Sequence, residues 1–187
     1  AHEMGNKWFI SEFAKPGEAQ TGHAYGGWAP DWLDEAVAIT MESEDSHKKR
    51  RALFAEMGSP RRIPLDEFLT MDHPLADAAR KLAKTMDPGD SPASGSTSRA
   101  IVLTGEEGKT FLENSGAKQA ADFYAQALVF TDYLTLKTGS DRILASLATA
   151  MANDVTFEDW LKMQDSLPND LSTLQKDWDD YASRFTS

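Results

Sequence analysis

Three residues near the start of the chain have the types and the spacing to contribute to a metal site. His2, Glu3 and Asn6 lie in the stretch HEMGN. Residues four positions apart share one face of a helix, so the His2 imidazole and the Asn6 amide are expected to point the same way. The stretch is one residue short of H-E-x-x-H, a helical motif whose two histidines bind zinc while its glutamate acts as a general base.

Glu35 is the residue best placed to supply a further ligand. It lies on the apolar side of its predicted helix, with Trp32 three positions before it and Ile39 four positions after it. A carboxylate that faces a core is costly unless it is paired or bound to a metal. A catalytic zinc usually keeps three protein ligands and one open position. Glu35 is therefore a candidate for a further metal ligand.

Both motifs also have an interpretation that involves no metal. Glu3 and Lys7 are spaced as an i,i+4 ion pair, which leaves His2 as a frayed N-terminal residue. Glu35 can instead lie at the edge of the apolar stripe and contact water or a lysine. The sequence leaves these alternatives open.

The other three histidines are weaker candidates. His23 lies in a glycine-rich loop between the two motif helices, from which it could reach a metal, but an exposed loop histidine is the simpler interpretation. His47 and His73 are predicted to be surface or turn residues. The basic run HKKRR, residues 47–51, is predicted to be a solvated helix face, because the rest of the chain is acidic.

Helices are predicted to position the motif residues, within a single domain over residues 1–187. The stretch DPGDSPASGSTS has a composition that cannot support packing, so residues 87–99 are predicted to form a flexible loop. Residues 100–104 fit a short strand or a helix start equally well. In this part of the chain, apolar spacing and turn residues predict helices at residues 2–14, at 31–43 with Asp31 as the N-cap, at 46–57, within 61–74 and at 74–85.

The C-terminal part is predicted to be a helical array. A long helix ends at Gly139, a typical C-cap residue. Thr156 and Asp159 have the spacing of a capping box before a short helix. The last helix carries an apolar stripe of Leu171, Leu174, Trp178 and Tyr181. These patterns predict a mostly α fold.

Composition excludes several classes of function. The net charge of −11 disfavours nucleic-acid binding, since no basic stripe offsets repulsion from the phosphates. The chain contains no cysteine, which rules out disulfides and thiolate metal sites within it. It contains no run of about 18 apolar residues, so we expect no membrane span. Because Ala1 stands directly before the motif and no initiator Met is present, we expect the chain to be a processed piece.

Four stretches of the sequence resemble the gluzincin, or peptidase MA-like, metallopeptidases. In these families a helix supplying a glutamate ligand follows the H-E-x-x-H helix, and further helices come later. RRIPLDEFL is similar to the connector that follows the glutamate helix in those proteins. The stretches are HEMGNKWF, WAPDWLDEAVA, FYAQALVFTDYLTLKTGSDRILASLATAMANDVTFEDWL and LSTLQKDWDDYA.

The resemblance implies roles for particular residues. His2 and Glu35 would be zinc ligands, with Asn6 at the position of the missing histidine ligand. Glu3 would be the general base. Tyr124 would place a hydroxyl beside the tetrahedral oxyanion, although a core tyrosine with a satisfied hydroxyl is an equal alternative. The implied fold is the helical part of a zincin-like catalytic domain.

The chain departs from the family pattern in three places. Asn6 replaces a histidine, and its neutral amide oxygen is a poor substitute for imidazole at zinc. Ala36 replaces the glycine that usually follows the glutamate. The N-terminal strands of the family are not present in this sequence, and an edge strand of that kind normally binds the peptide substrate.

The sequence therefore predicts a zinc metallopeptidase-like protein that acts on peptides or proteins, with zinc binding and hydrolysis weakened or lost because of Asn6. The alternative is a non-catalytic binding module on the same scaffold. A helical domain unrelated to peptidases is a third possibility. The resemblance favours a secreted or cell-envelope location.

Overall fold

The computed structural model describes residues 2, 4, 5, 8 and 9, residues 29–75 and residues 116–185. Of these residues, 74% are helical and none forms a strand, which confirms the mostly α prediction. The predicted loop at 87–99, the stretch at 100–104 and residues Glu3, Asn6 and His23 lie outside the described residues. The helices are α1 Asp31–Thr40, α2 Glu44–Arg61, α3 Leu65–Phe68, α4 Ala117–Thr138, α5 Ile143–Ala152, α6 Phe157–Lys162 and α7 Leu171–Ser183.

The long helix α4 is the central element of the described fold. It packs against α1, α2, α5 and α7. Its sequence is apolar on more than one face, and Phe123, Val129 and Phe130 are fully buried. A helix surrounded by other helices needs such a sequence, because more than one face must be removed from water.

The interior between α2, α4 and α7 is filled by rings. Phe54, Phe130, Tyr133 and Trp178 are all fully buried, and we call this group the aromatic core. The ring centroid of Trp178 lies 5.7 Å from that of Phe54, 5.4 Å from that of Phe130 and 5.7 Å from that of Tyr133. These separations lie in the range at which edge-to-face and tilted ring pairs are favourable.

The helix ends follow local sequence signals at several positions. Thr156 Oγ1 accepts a hydrogen bond from the Asp159 amide, as the capping box predicts. Gly139 ends α4 with a φ of 66°, a left-handed conformation that glycine adopts at little cost. The prediction for Asp31 was wrong, since Pro30 is the N-cap of α1 and Asp31 is its first helical residue. The Asp31 side chain instead accepts a hydrogen bond from the backbone amide of His73.

Helix α2 is longer than predicted and its basic run is only partly solvated. It spans Glu44–Arg61 and bends at Gly58, which has a φ of 59°. Lys48 and Lys49 are exposed, but Arg51 donates to Asp132 of α4 with an Nε–Oδ2 distance of 2.7 Å. The prediction of a solvated face was therefore wrong for Arg51, because its acceptor comes from a distant part of the chain.

No helix within the described ranges is both long and apolar enough to cross a membrane. The helix predicted at 74–85 begins as expected, since Pro74 and Leu75 are helical, and its remaining residues lie outside the described part of the chain.

Candidate functional site

Five described residues near the N-terminus, His2, Met4, Gly5, Trp8 and Phe9, are helical, and we call them the N-terminal segment. The side chain of Phe9 is buried, whereas those of Met4 and Trp8 are exposed. A β-carbon added at Gly5 would lie only 2.8 Å from Ala38 Cα. The segment therefore packs its Gly5 side directly against α1, at a distance that leaves no room for a side chain.

This contact brings His2 against two carboxylates. Its Nε2 lies 2.8 Å from Glu35 Oε2, and its Nδ1 donates to Glu42 Oε1 at 2.9 Å. The Glu35 contact, followed by the influence of Glu42, raises the pKa of His2 despite the opposing effect of burial. His2 thus has a carboxylate at each ring nitrogen, an environment that favours the imidazolium form.

Glu35 is buried within α1, with a relative exposure of 1%. The sequence-based alternative, in which it lies at the stripe's edge and meets water or a lysine, was therefore wrong. Neither carboxylate oxygen has a hydrogen-bond partner among the described residues, so the 2.8 Å contact with His2 is an ion pair without the alignment of a hydrogen bond. A buried carboxylate in this state depends on the His2 charge for compensation.

Glu42 links the N-terminal segment to α2. Arg50 donates to both of its oxygens, from Nε at 2.9 Å and from Nη2 at 2.5 Å. Burial raises the pKa of Glu42, but Arg50 and His2 together lower it below its usual value. The Arg50 guanidinium also lies over the Tyr124 ring, 4.9 Å from its centroid. Arg50 therefore fixes Glu42 on one side and Tyr124 on the other.

His73 completes the group, contrary to its prediction as a surface or turn residue. It is fully buried, and its Nε2 lies 2.9 Å from the Tyr124 hydroxyl and 3.8 Å from Glu35 Oε1. Burial, with a smaller effect of the His2 charge, lowers the pKa of His73 to about 4. His73 is thus neutral at physiological pH. We call His2, Glu35, Glu42, Arg50, His73 and Tyr124 the His2 cluster.

The tautomer of His73 follows from its neighbours. Its Nδ1 accepts a hydrogen bond from the Leu75 amide at 3.2 Å, so Nδ1 carries no proton. In the neutral ring the proton is then on Nε2, from where it is donated to the Tyr124 oxygen. To bind a metal through Nε2, the neutral ring would have to carry its proton on Nδ1, where the Leu75 amide already donates. His73 is therefore not arranged to take the place of the histidine that the motif lacks at position 6.

The donor set does not complete a catalytic zinc site within the described part of the chain. His2 Nε2 and Glu35 converge, and the hydrogen bond from His2 Nδ1 to Glu42 is the kind of outer contact that orients a metal-binding histidine. A catalytic zinc needs a third protein ligand, and the described residues contain no group of three histidine, aspartate or glutamate side chains able to hold a metal. His2 and Glu35 are thus two converging side chains of suitable type, and no third one joins them among the described residues.

The structure brings together three of the residues selected from sequence. His2 contacts Glu35, and its ring centroid lies 5.8 Å from that of Tyr124. Glu42 was not selected from the sequence, although a helix over the predicted range 31–43 would place it on the same side as Glu35; in the structure it follows the end of α1 at Thr40. His73 was not selected either, since the sequence carries no local signal for its burial.

A cavity of about 650 Å³ opens beside His2, within the size range of ligand pockets. We call it the His2 groove. The described residues that line it are His2, Glu42, Ser43, Ser46, Lys49, Arg50 and Leu53.

A comparison with protein-family models, curated proteins and solved structures finds no match. Any function therefore has to follow from the chemistry of the His2 cluster and the groove beside it.

Proposed function

We propose that this chain is a metallopeptidase-like protein of the gluzincin type that binds peptides, and in which zinc binding and hydrolysis are weakened or lost. The pairing of His2 with Glu35 supports the peptidase-like scaffold, because these two residues, 33 positions apart in the sequence, are the ones that the family resemblance selects as ligands. The groove beside His2 offers space for a ligand.

The proposed loss of metal affinity is supported by one observation, the position of His2 between two carboxylates. Its Nε2 contacts Glu35 and its Nδ1 donates to Glu42. The charges of the cluster therefore compensate one another without a metal ion. A metal would have to displace the Nε2 proton and break the ion pair, and it would gain only two strong protein donors.

An active zinc peptidase is the second candidate, and one observation favours it. Both oxygens of Glu35 are buried without a hydrogen-bond partner among the residues that the structure describes, a state that coordination of a metal would relieve. Under this alternative, His2 and Glu35 hold the metal, Glu3 is the base implied by the resemblance, and the Tyr124 hydroxyl lies at the edge of the site.

Metal content and hydrolysis measured together distinguish these two functions. We expect the protein purified without added metal to contain well under one equivalent of zinc, and to leave a mixed pool of short peptides uncut as judged by mass spectrometry. Asn6→His should raise zinc uptake by restoring the imidazole. Glu35→Gln should abolish any residual uptake, whereas Glu56→Gln, at an exposed position of α2, should not change it.

Stoichiometric zinc that Glu35→Gln removes, together with peptide cleavage lost in the same variant, would establish the active peptidase instead. If Asn6→His raises neither zinc uptake nor cleavage, the gluzincin assignment is wrong. If peptides from the pool do not bind the zinc-free protein at all, the binding role is wrong.

A further inference from the structure

The His2 groove follows one stripe of α2. Ser43 is the N-cap of this helix, and Ser46, Arg50 and Leu53 follow at spacings of three, four and three residues, which place them on one face. At about 1.5 Å per residue the stripe is about 15 Å long. An extended chain rises about 3.3 Å per residue, so roughly four peptide residues match this length.

The groove changes in chemistry along its length. Ser43 and Ser46 provide hydroxyl groups at one end. Lys49 and Arg50 are cationic in the middle, and Leu53 provides apolar surface at the other end. This order fits a ligand with a polar backbone and an anionic group.

Two cationic side chains, Lys49 and Arg50, line the groove, and Lys49 is not part of the His2 cluster. Arg50 is bound to Glu42 through two hydrogen bonds. Lys49 has no carboxylate within 4.0 Å among the described residues, whereas its neighbour Lys48 lies 3.9 Å from Asp45. In a chain with a net charge of −11, an uncompensated lysine at a cavity wall is a local positive site that attracts anions.

The acidic residues at the start of α2 do not cancel this charge. Glu44 lies 3.7 Å from Arg51 and 3.8 Å from His47, and Asp45 is the partner of Lys48. Glu42 is held between His2 and Arg50. Each of these three described carboxylates therefore has a cationic or histidine partner of its own, and Lys49 remains available to a ligand.

We propose that the His2 groove binds a short extended peptide through a carboxylate of the peptide that pairs with Lys49. This inference rests on the proposed peptide-binding function and specifies the chemical class of the ligand. The carboxylate comes from the C-terminus of the peptide or from an acidic side chain, and both sources present the same group to Lys49.

The test is an NMR titration of the zinc-free protein with three tetrapeptides of matched length. The first is acetylated tetra-alanine with a free C-terminal carboxylate. The second is the same peptide with a C-terminal amide. The third is the amide with glutamate at its third position. We expect at least one carboxylate peptide to bind roughly fivefold tighter than the neutral amide, with shift changes in residues 43–53, as one exposed ion pair allows.

The matched variants are Lys49→Gln and Lys48→Gln. Lys49→Gln should remove the roughly fivefold advantage of the carboxylate peptides, while Lys48→Gln should leave it in place. The same advantage should fall as salt is raised, since the pair is exposed to solvent. Whichever carboxylate peptide binds more tightly identifies the source of the group, and either source supports the proposal.

Two results would overturn it. If the neutral amide binds as tightly as both carboxylate peptides, or if the two lysine variants behave alike, the carboxylate site is wrong while peptide binding itself stands. If none of the three peptides binds, both the carboxylate site and the peptide-binding function fail.

Discussion

The aromatic core between α2, α4 and α7 and the His2 cluster beside α1 lie in the same molecule and differ in what fills them. The core consists of large rings such as Trp178 and Phe130, with centroids 5.4 Å apart. The cluster consists of charged and polar groups such as His2 and Glu35. Burying rings removes apolar surface from water, whereas burying charges requires that each be compensated. We therefore expect stability to depend mainly on the core, and chemistry on the cluster.

The largest expected effect comes from the core. Trp178→Ala removes a fully buried indole that contacts four other rings, and should lower the free energy of unfolding by about 4 kcal/mol. Chemical denaturation measures this change. Below the transition, the His2 NMR titration should be unaffected, because Trp178 is not part of the cluster. A shift in the His2 pKa comparable to the loss of an ion pair would show that the two regions are coupled.

The next largest effect concerns the two histidines of the His2 cluster, whose pKa values shift in opposite directions. The pKa of His73 is lowered to about 4, so between that value and its ordinary 6.5 the unfolded chain binds a proton that the folded chain does not. Its contribution to stability is therefore lost as pH falls through this window, by about 3 kcal/mol. The pKa of His2 is raised, so the stability it contributes is present below pH 6.5 and is lost as pH rises through the raised value.

An NMR pH titration of both imidazoles checks this pair of opposite shifts. His73 should titrate well below pH 6, and His2 above 6.5. Denaturation of His73→Gln should show a shallower loss of stability than the parent between pH 6.5 and 4, since the glutamine cannot be protonated. A His73 ring that titrates near 6.5 would contradict the burial and the tautomer described for it.

The smallest expected effect on global stability comes from a variant that tests how the N-terminal segment is held against α1. Gly5→Ala places a methyl group 2.8 Å from Ala38 Cα, so the N-terminal segment must move away from α1 and His2 must leave Glu35. We expect the pKa of His2 to return towards 6.5, with a loss of stability of about 1 kcal/mol. NMR titration and denaturation measure the two effects.

Gly139→Ala is the matched control for that change. Its added β-carbon meets no atom within 4 Å, but its φ of 66° is unfavourable for alanine, so we expect a loss of about 1 kcal/mol from backbone strain alone. The His2 titration should be unchanged in this variant. Equal effects of both glycine variants on His2 would mean that the close approach of Gly5 to α1 is not what positions the ring.

Local features were predictable from the sequence, and contacts between distant residues were not. The cap at Thr156 and the end of α4 at Gly139 depend on a few consecutive residues, and both predictions were confirmed. The position of Glu35 on the apolar side of α1 followed from helical periodicity. Periodicity could not show that Arg51 meets Asp132, which is 81 residues away.

The contacts within the His2 cluster were also not predictable from the sequence. His73 and Tyr124 are 51 residues apart, and nothing near His73 in the sequence marks it as buried. A histidine before a proline is typical of an exposed turn, and only the packing of α1 and α4 around it makes it part of the site. The helix ends can therefore be predicted from neighbouring residues, whereas the contacts of the His2 cluster depend on residues that are far apart in the sequence.

The close approach of Gly5 to Ala38 also restricts which related sequences can share this site. A side chain at position 5, or a larger one at position 38, would separate two backbones that now touch. In any set of relatives the two positions should therefore vary together, with a small residue at both wherever a histidine stands three positions before the first. Such a pair, 33 residues apart, identifies the arrangement from sequence even where no complete H-E-x-x-H motif is present.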